Sequence, residues 1–445
     1  MTRLHWLNRS ALIGTLAGLL ATPGLLGAHA QTSPQTSDPA GMPVTYVTED
    51  GTTTVTPRAD GVEIRFEDAR GVVTTKHHDA QGRLIREDAP ETGGRTHAYD
   101  ADGRLVRTET PDGLVTRLSY DAQGRLTRST VRQNGEDRIV TRLTYDACEN
   151  GGGFLCKVVH DGHVQRHDYT ADGRIAKTVT RLADEPDADT VRYDYREDGQ
   201  VERIRYPSGL AVTHYYDADG TLDRLTGRYE TGEDRAHFII ARNIGVDAAG
   251  RITGFTHGNG VRTHFQHGET GLLERTKLTR DGVTLRQSDF TRDAEGRVTE
   301  IDRIDDALDR RFAYDARGRL VMESRGDGTP GGTTRIDYAL DAVHNRTSRT
   351  EDGRTRHSAY AADSNRQTSV GRKTLDHDAR GNLVADRDGR RGFVYDATNR
   401  MVEFHKDGVL RATYDYDAQG RRIRKVLHRA DDDGVKSVRF AYDTA

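Results

Sequence analysis

The chain has 445 residues, 34% of them apolar and 31% charged, with 66 basic side chains against 70 acidic ones and a net charge of −4. So even a mixture excludes the strongly basic class that grips nucleic acid or an anionic membrane. So little apolar material leaves disorder, or a repeat architecture whose sheets are half solvated.

Residues 1–30 read as a cleaved secretory signal. Arg3, His5 and Arg9 form a basic opening, residues 11–27 are apolar but broken by Pro23-Gly24, and Ala28-His29-Ala30 supplies the small residues of a cleavage site. The apolar run falls short of the roughly 20 residues that span a bilayer. No Arg-Arg pair precedes it, and both cysteines lie far from the cut. Residues 31–45 are expected to be a flexible linker. Loss of the signal removes two arginines and no acid, which leaves the mature chain near −6. No later stretch is apolar enough to cross a membrane, so the expected site is outside the cytoplasm, with no membrane contact after cleavage.

From residue 46 to residue 445 the chain repeats itself. Asp-Ala-x-Gly occurs at 79–82, 100–103, 121–124, 217–220, 247–250, 293–296, 315–318, 378–381 and 417–420, usually followed by Arg and an aliphatic residue. Gly82, Gly103 and Gly124 are 21 apart, and Gly318 to Gly381 is three times that. A fixed period means one supersecondary unit repeated. Before the turn, apolar residues alternate, as in Leu118-x-Tyr120, Phe312-x-Tyr314 and Tyr414-x-Tyr416, which is the period of a strand with one buried face. The Asp carboxylate can accept backbone N–H bonds, and Gly supplies the left-handed conformation. Asp112-Gly113, Asp281-Gly282, Asp352-Gly353 and Asp407-Gly408 read as second, two-residue hairpin turns. Each unit is then a β-hairpin that buries its face only against its neighbours. The expected fold is all-β: tandem hairpins in a spiralling antiparallel sheet or partial shell.

Tyr99-Asp100-Ala101-Asp102-Gly103-Arg104-Leu105 and Tyr120-Asp121-Ala122-Gln123-Gly124-Arg125-Leu126 resemble the signature of YD repeats, found in bacterial Rhs proteins, toxin-complex subunits and the teneurin shell. The copies at Tyr314-Asp315 to Gly318 and Tyr416-Asp417 to Gly420 match too, and the variants at 340–347 and 395–401 resemble two further forms of the repeat. The resemblance implies a hollow β-shell that often encloses a toxic C-terminal segment. The repeat region holds no Asp-Pro-x-Gly, so the family's self-cleaving aspartate cannot be carried over. The last residues, Tyr442-Asp443-Thr444-Ala445, resemble the opening of one more repeat, and neither core segment nor toxin is expected.

Cys148 and Cys156 flank a glycine-rich stretch. In an exported protein that spacing reads as a disulfide. His160, His163 and His167 form His-x2-His-x3-His, and the first two would face each other across a turn at Asp161-Gly162. A metal could sit there, but solvated polar positions on a strand are the reading adopted. Asp431-Asp432-Asp433-Gly434 lacks the ligand spacing and closing Glu of a calcium loop and reads as a turn. No nucleophile elbow, phosphate loop or zinc helix occurs. The expectation is therefore no enzyme, no cofactor and no metal site, but an exported structural or interaction protein. Its partner would be another polypeptide, such as a core, a toxin or a surface protein. The alternative is a glycan-binding surface protein, against which stands the absence of Trp after Trp6.

Overall fold

The computed structural model describes residues 42–230, 237–304, 309–326, 332–386, 389–428 and 436–443. The signal at 1–30, the linker as far as residue 41 and the Asp431–Asp433 turn lie outside them. The described residues form 36 strands and no α-helix, and no helix among them is long and apolar enough to cross a membrane. The first strand, Val44–Thr48, opens just ahead of the expected boundary at residue 46.

Two kinds of turn recur, and the sequence dictates each. At Asp100–Gly103 the Asp100 N–H donates to the Arg104 carbonyl at 2.9 Å and the Gly103 N–H to the Asp100 carbonyl at 3.0 Å. Gly103 has φ +81°, a left-handed position open to glycine at little cost. The extra residue makes a bulge: Tyr99 faces Leu105, with the register shifting between Ala98 and Tyr99. The same shift recurs where Tyr120 faces Leu126 and Tyr314 faces Leu320. Asn399 (φ +65°) and His344 (φ +70°) occupy the glycine position in two copies.

The second kind is tighter. Asp281-Gly282, Asp352-Gly353 and Asp407-Gly408 have both residues at positive φ, the two-residue hairpin whose twist suits antiparallel strands. Asp112-Gly113 departs from this expectation. Only Gly113 is left-handed, and its N–H reaches back to the Thr110 carbonyl at 3.0 Å. Pro111 fixes a negative φ early in the turn and so favours the longer bulged form.

The chain divides into two compact units. One comprises Met1–Asp168, Thr180–Ala188 and Ala359–Phe440; the other comprises Tyr169–Val179, Asp189–Ser358 and Ala441–Ala445. In the second unit, consecutive strands pair antiparallel from Ala188–Tyr195 to Arg354–Tyr360. Its buried residues Val191, Tyr193 and Ile204 pack with Ile175, Tyr195, Val201 and Tyr206.

The first unit is not built from neighbours alone. Its early strands, Val44–Thr48 to His163–Tyr169, meander antiparallel. A late segment of the chain then packs on them. Ala418 is 4% exposed and joins Leu143, Leu155 and Val158 in one buried cluster. Ala397 packs on the cluster of Leu114, Val131 and Ile139. Polar clasps accompany this packing. Arg70 donates to the carbonyls of Ala361 and Ser364 and to Asn365 Oδ1, and Arg366 donates to the carbonyls of Pro90 and Glu91. Backbones approach so closely at Gly381 that a Cβ there would sit 2.3 Å from the Glu91 carbonyl oxygen. The expectation that hairpins contact mainly their neighbours is corrected here. The Ala side chain of the repeat motif is small enough to enter a cluster formed more than 250 residues earlier.

Candidate functional site

The recurrent polar residues form one arrangement, copied along the chain. Asp100 Oδ1 accepts the N–H groups of Asp102 and Arg104 at 3.0 and 2.8 Å, and Asp100 Oδ2 accepts Arg104 Nε at 2.8 Å. The Arg104 N–H bond is the largest cause holding the Asp100 carboxyl below its ordinary value, against desolvation. The Arg104 guanidinium lies 5.2 Å from the centre of the Tyr120 ring, and Tyr120 Oη donates to the Leu105 carbonyl at 2.8 Å. Burial raises the Tyr120 phenol above its usual value, so it stays a donor.

A tyrosine thus serves the turn before its own. Tyr99 caps the turn of Asp79 and Arg83, Tyr314 that of Asp293 and Arg297, and Tyr416 that of Asp396 and Arg400. Asp121, Asp315 and Asp417 each accept two backbone N–H groups and the Nε of Arg125, Arg319 and Arg421. Gly124, Gly318 and Gly420 are left-handed, at φ +78°, +74° and +77°. The structure does not gather Tyr, Asp and Gly of one motif into one cluster. Sequence reasoning saw the arginines only as part of the repeat and missed that Arg83, Arg104, Arg297 and Arg400 each join two successive repeats. The signal was their steady place after the glycine, with Arg83, Arg104 and Arg400 each 16 residues before the next tyrosine.

Cys148 and Cys156 are joined by a disulfide, with Cα atoms 5.4 Å apart. Asp146 stands beside it, where its carboxylate accepts the Gly153 N–H and both terminal nitrogens of Arg125. The Arg125 hydrogen bond is the main cause lowering Asp146. The neighbouring Leu155 belongs to the cluster that receives Ala418.

His160 and His163 face each other across the Asp161-Gly162 turn. His160 is 6% exposed, its Nδ1 lies 2.7 Å from Thr141 Oγ1, and its Nε2 takes a bond from Arg400 Nη2 at 2.9 Å. Burial, then the Arg400 charge, lower its pKa to about 4. His163 Nδ1 accepts the Ala183 N–H at 3.1 Å. His167 is 5% exposed, and burial, then Arg421, bring it also to about 4. Both nitrogens of His160 are engaged with protein groups. Among the described residues no group of three or more His, Cys, Asp or Glu is placed to hold a metal ion. A polar cleft beside this contact is lined by His160, Asp161, His163, Arg400, Glu403 and Asp415, among others.

These features define a class of protein: an all-β array of bulged hairpins, several of them locked to the next by an Asp–Arg–Tyr relay. Residues 233–444 match the family described as Teneurin YD-shell, and residues 99–136 match RHS Repeat. Residues 233–444 thus carry YD-shell sequence, and residues 99–136 carry the Rhs repeat. It is 29% identical to the toxin protein Tse5 of Pseudomonas aeruginosa over 63% of this chain and 24% of that one. It is 32% identical to double-stranded DNA deaminase toxin A of Burkholderia cenocepacia over 36% of this chain and 10% of that one. In fold it resembles the crystal structure of TcdB2-TccC3, with a TM-score of 0.74 and 17% identity over 88% of this chain and 24% of that one. The chain spans about a quarter of the length of Tse5 and of TcdB2-TccC3, and a tenth of that of the deaminase toxin.

Proposed function

We propose that the chain is an exported structural protein, a stretch of shell wall that scaffolds another polypeptide and carries no catalysis of its own. The observation that carries this reading is the relay. At several repeats the motif's acidic, basic and phenolic groups are engaged in holding one repeat to the next, as at Asp100, Arg104 and Tyr120. The fold likeness supports it, since that solved structure joins two named components, TcdB2 and TccC3. Export rests on the signal read over residues 1–30.

The test is to express the full chain with the polypeptide encoded beside it, fractionate the cells and challenge the product with protease. The expected result is an extracytoplasmic chain that has lost Trp6, and so emits as a tyrosine protein, together with a partner protected from digestion. A chain retained in the cytoplasm, or a partner digested as fast as when alone, overturns the reading. Binding to immobilised glycans without protection would favour the adhesion alternative.

A further inference from the structure

The histidines at 160 and 167 have no part in the relay, yet both are buried where the late segment of the first unit meets the early strands. Arg400 and Arg421 are the motif arginines of two successive repeats; Arg400 donates to His160, and the Arg421 charge lies close enough to His167 to oppose its protonation. Burying one imidazole against a guanidinium is tolerable while the imidazole is neutral and accepts a hydrogen bond. His160 does so through Nε2. The Arg421 charge acts on buried His167 in the next repeat, so the two histidines make a seam with one chemistry.

We propose that this seam is an acid-operated latch: proton uptake by His160 and His167 sets imidazolium against guanidinium and parts the turns at Asp396–Asn399 and Asp417–Gly420 from the Leu155–His160 and His163–Tyr169 strands. The guanidinium groups cannot simply swing aside. Arg400 is held by Asp396 Oδ2 at 3.0 Å and by the Asp417 carbonyl at 2.8 Å, and Arg421 by Asp417 Oδ2 at 2.8 Å. A proton on His160 Nε2 would remove the acceptor that Arg400 uses. The other charges in reach are His163, which opposes protonation, and Asp396, which favours it but is engaged with Arg400. Asp161, Glu403 and Asp415 line the cleft alongside, and Asp168 favours a charge on His167.

The sign follows from linkage. Each histidine binds its proton at 6.5 when released and at about 4 when docked, so the closed seam is fully favoured above pH 6.5 and weakens as pH falls toward 4. Each can shift the opening equilibrium by up to about 300-fold over that interval.

Hydrogen exchange read by mass spectrometry on the mature full chain, corrected for intrinsic rates, tests the latch. Peptides covering 155–169 and 396–421 should lose about tenfold or more of their protection between pH 7 and pH 5, while 188–195 keeps its own. In the His160→Gln/His167→Gln variant, whose amide oxygens still accept a hydrogen bond but do not titrate, that loss should vanish. Unchanged protection of the native seam overturns the proposal, and so does an equal loss in the variant. Should the variant fail to fold, histidine resonances of the native protein decide. Two must titrate in step with the loss of protection, and titration without that loss overturns the latch.

Discussion

The guanidinium carbon of Arg83 lies 5.0 Å from the centre of the Tyr99 ring, and Tyr99 Oη donates to the Leu84 carbonyl at 2.8 Å. The arginine is bonded to Asp79 in its own turn, at 2.7 Å. A side chain of one repeat therefore carries the position of its turn to the strand that begins the next. Cation–π contact and hydrogen bond act on the same ring, so loss of the hydroxyl and loss of the ring should differ in size.

Replacement of Tyr120 by Phe removes only the bond to the Leu105 carbonyl and should cost about 1 kcal/mol. Tyr120→Ala, which also removes the ring from Arg104, should cost about 3 kcal/mol. Urea unfolding of the two variants checks this, and equal losses would mean that the ring contributes nothing.

The alanine of the motif separates local from tertiary demands. Ala418 is buried against Leu143, Leu155 and Val158, whereas Ala248 in the turn at 247–250 is exposed. Ala418→Leu should destabilise by about 1–3 kcal/mol through overpacking. Ala248→Leu should stay within about 0.5 kcal/mol of the native protein. Thermal unfolding of both reads the difference.

Non-reduced peptide mapping of protein taken from its own oxidising compartment should recover Cys148 linked to Cys156. Replacing both by Ser should lower stability by about 2–3 kcal/mol, the loop entropy of so short a ring. Because Leu155 packs beside Ala418, the loss should appear as faster hydrogen exchange near residue 418 as well as in the loop.

A chain ending after Gly318 keeps the early strands of the first unit but loses the segment that covers them. The clasps of Arg70 and the cover over Leu143, Leu155 and Val158 go with it. Limited proteolysis should therefore cut within residues 126–168 sooner than in the full chain. Equal resistance would return the first unit to neighbour-only stacking.

The hairpins themselves were legible from one sequence. Period two gave the strands, and Asp-Ala-x-Gly gave a turn, because Gly103 and its equivalents need a left-handed backbone and the Asp needs backbone N–H groups; the bulge in that turn came from the structure. Asp112-Gly113 was misread because Pro111, one position earlier, selects the longer turn. His344 and Asn399 show that the turn geometry, once surrounded, holds without glycine.

What the sequence determined alone was local: where strands alternate and where the chain turns, since both rest on groups within one repeat. The relay was half visible, as a spacing without a partner. The tertiary structure alone decided which copies of the same motif are buried. Ala418 and Ala248, or Arg400 and Arg83, are alike in sequence and differ only in what the chain lays against them. A repeated sequence carries no local mark of its distant neighbour. Contacts such as Arg400 to His160 span 240 residues and depend on where the folded strands bring the late segment to rest.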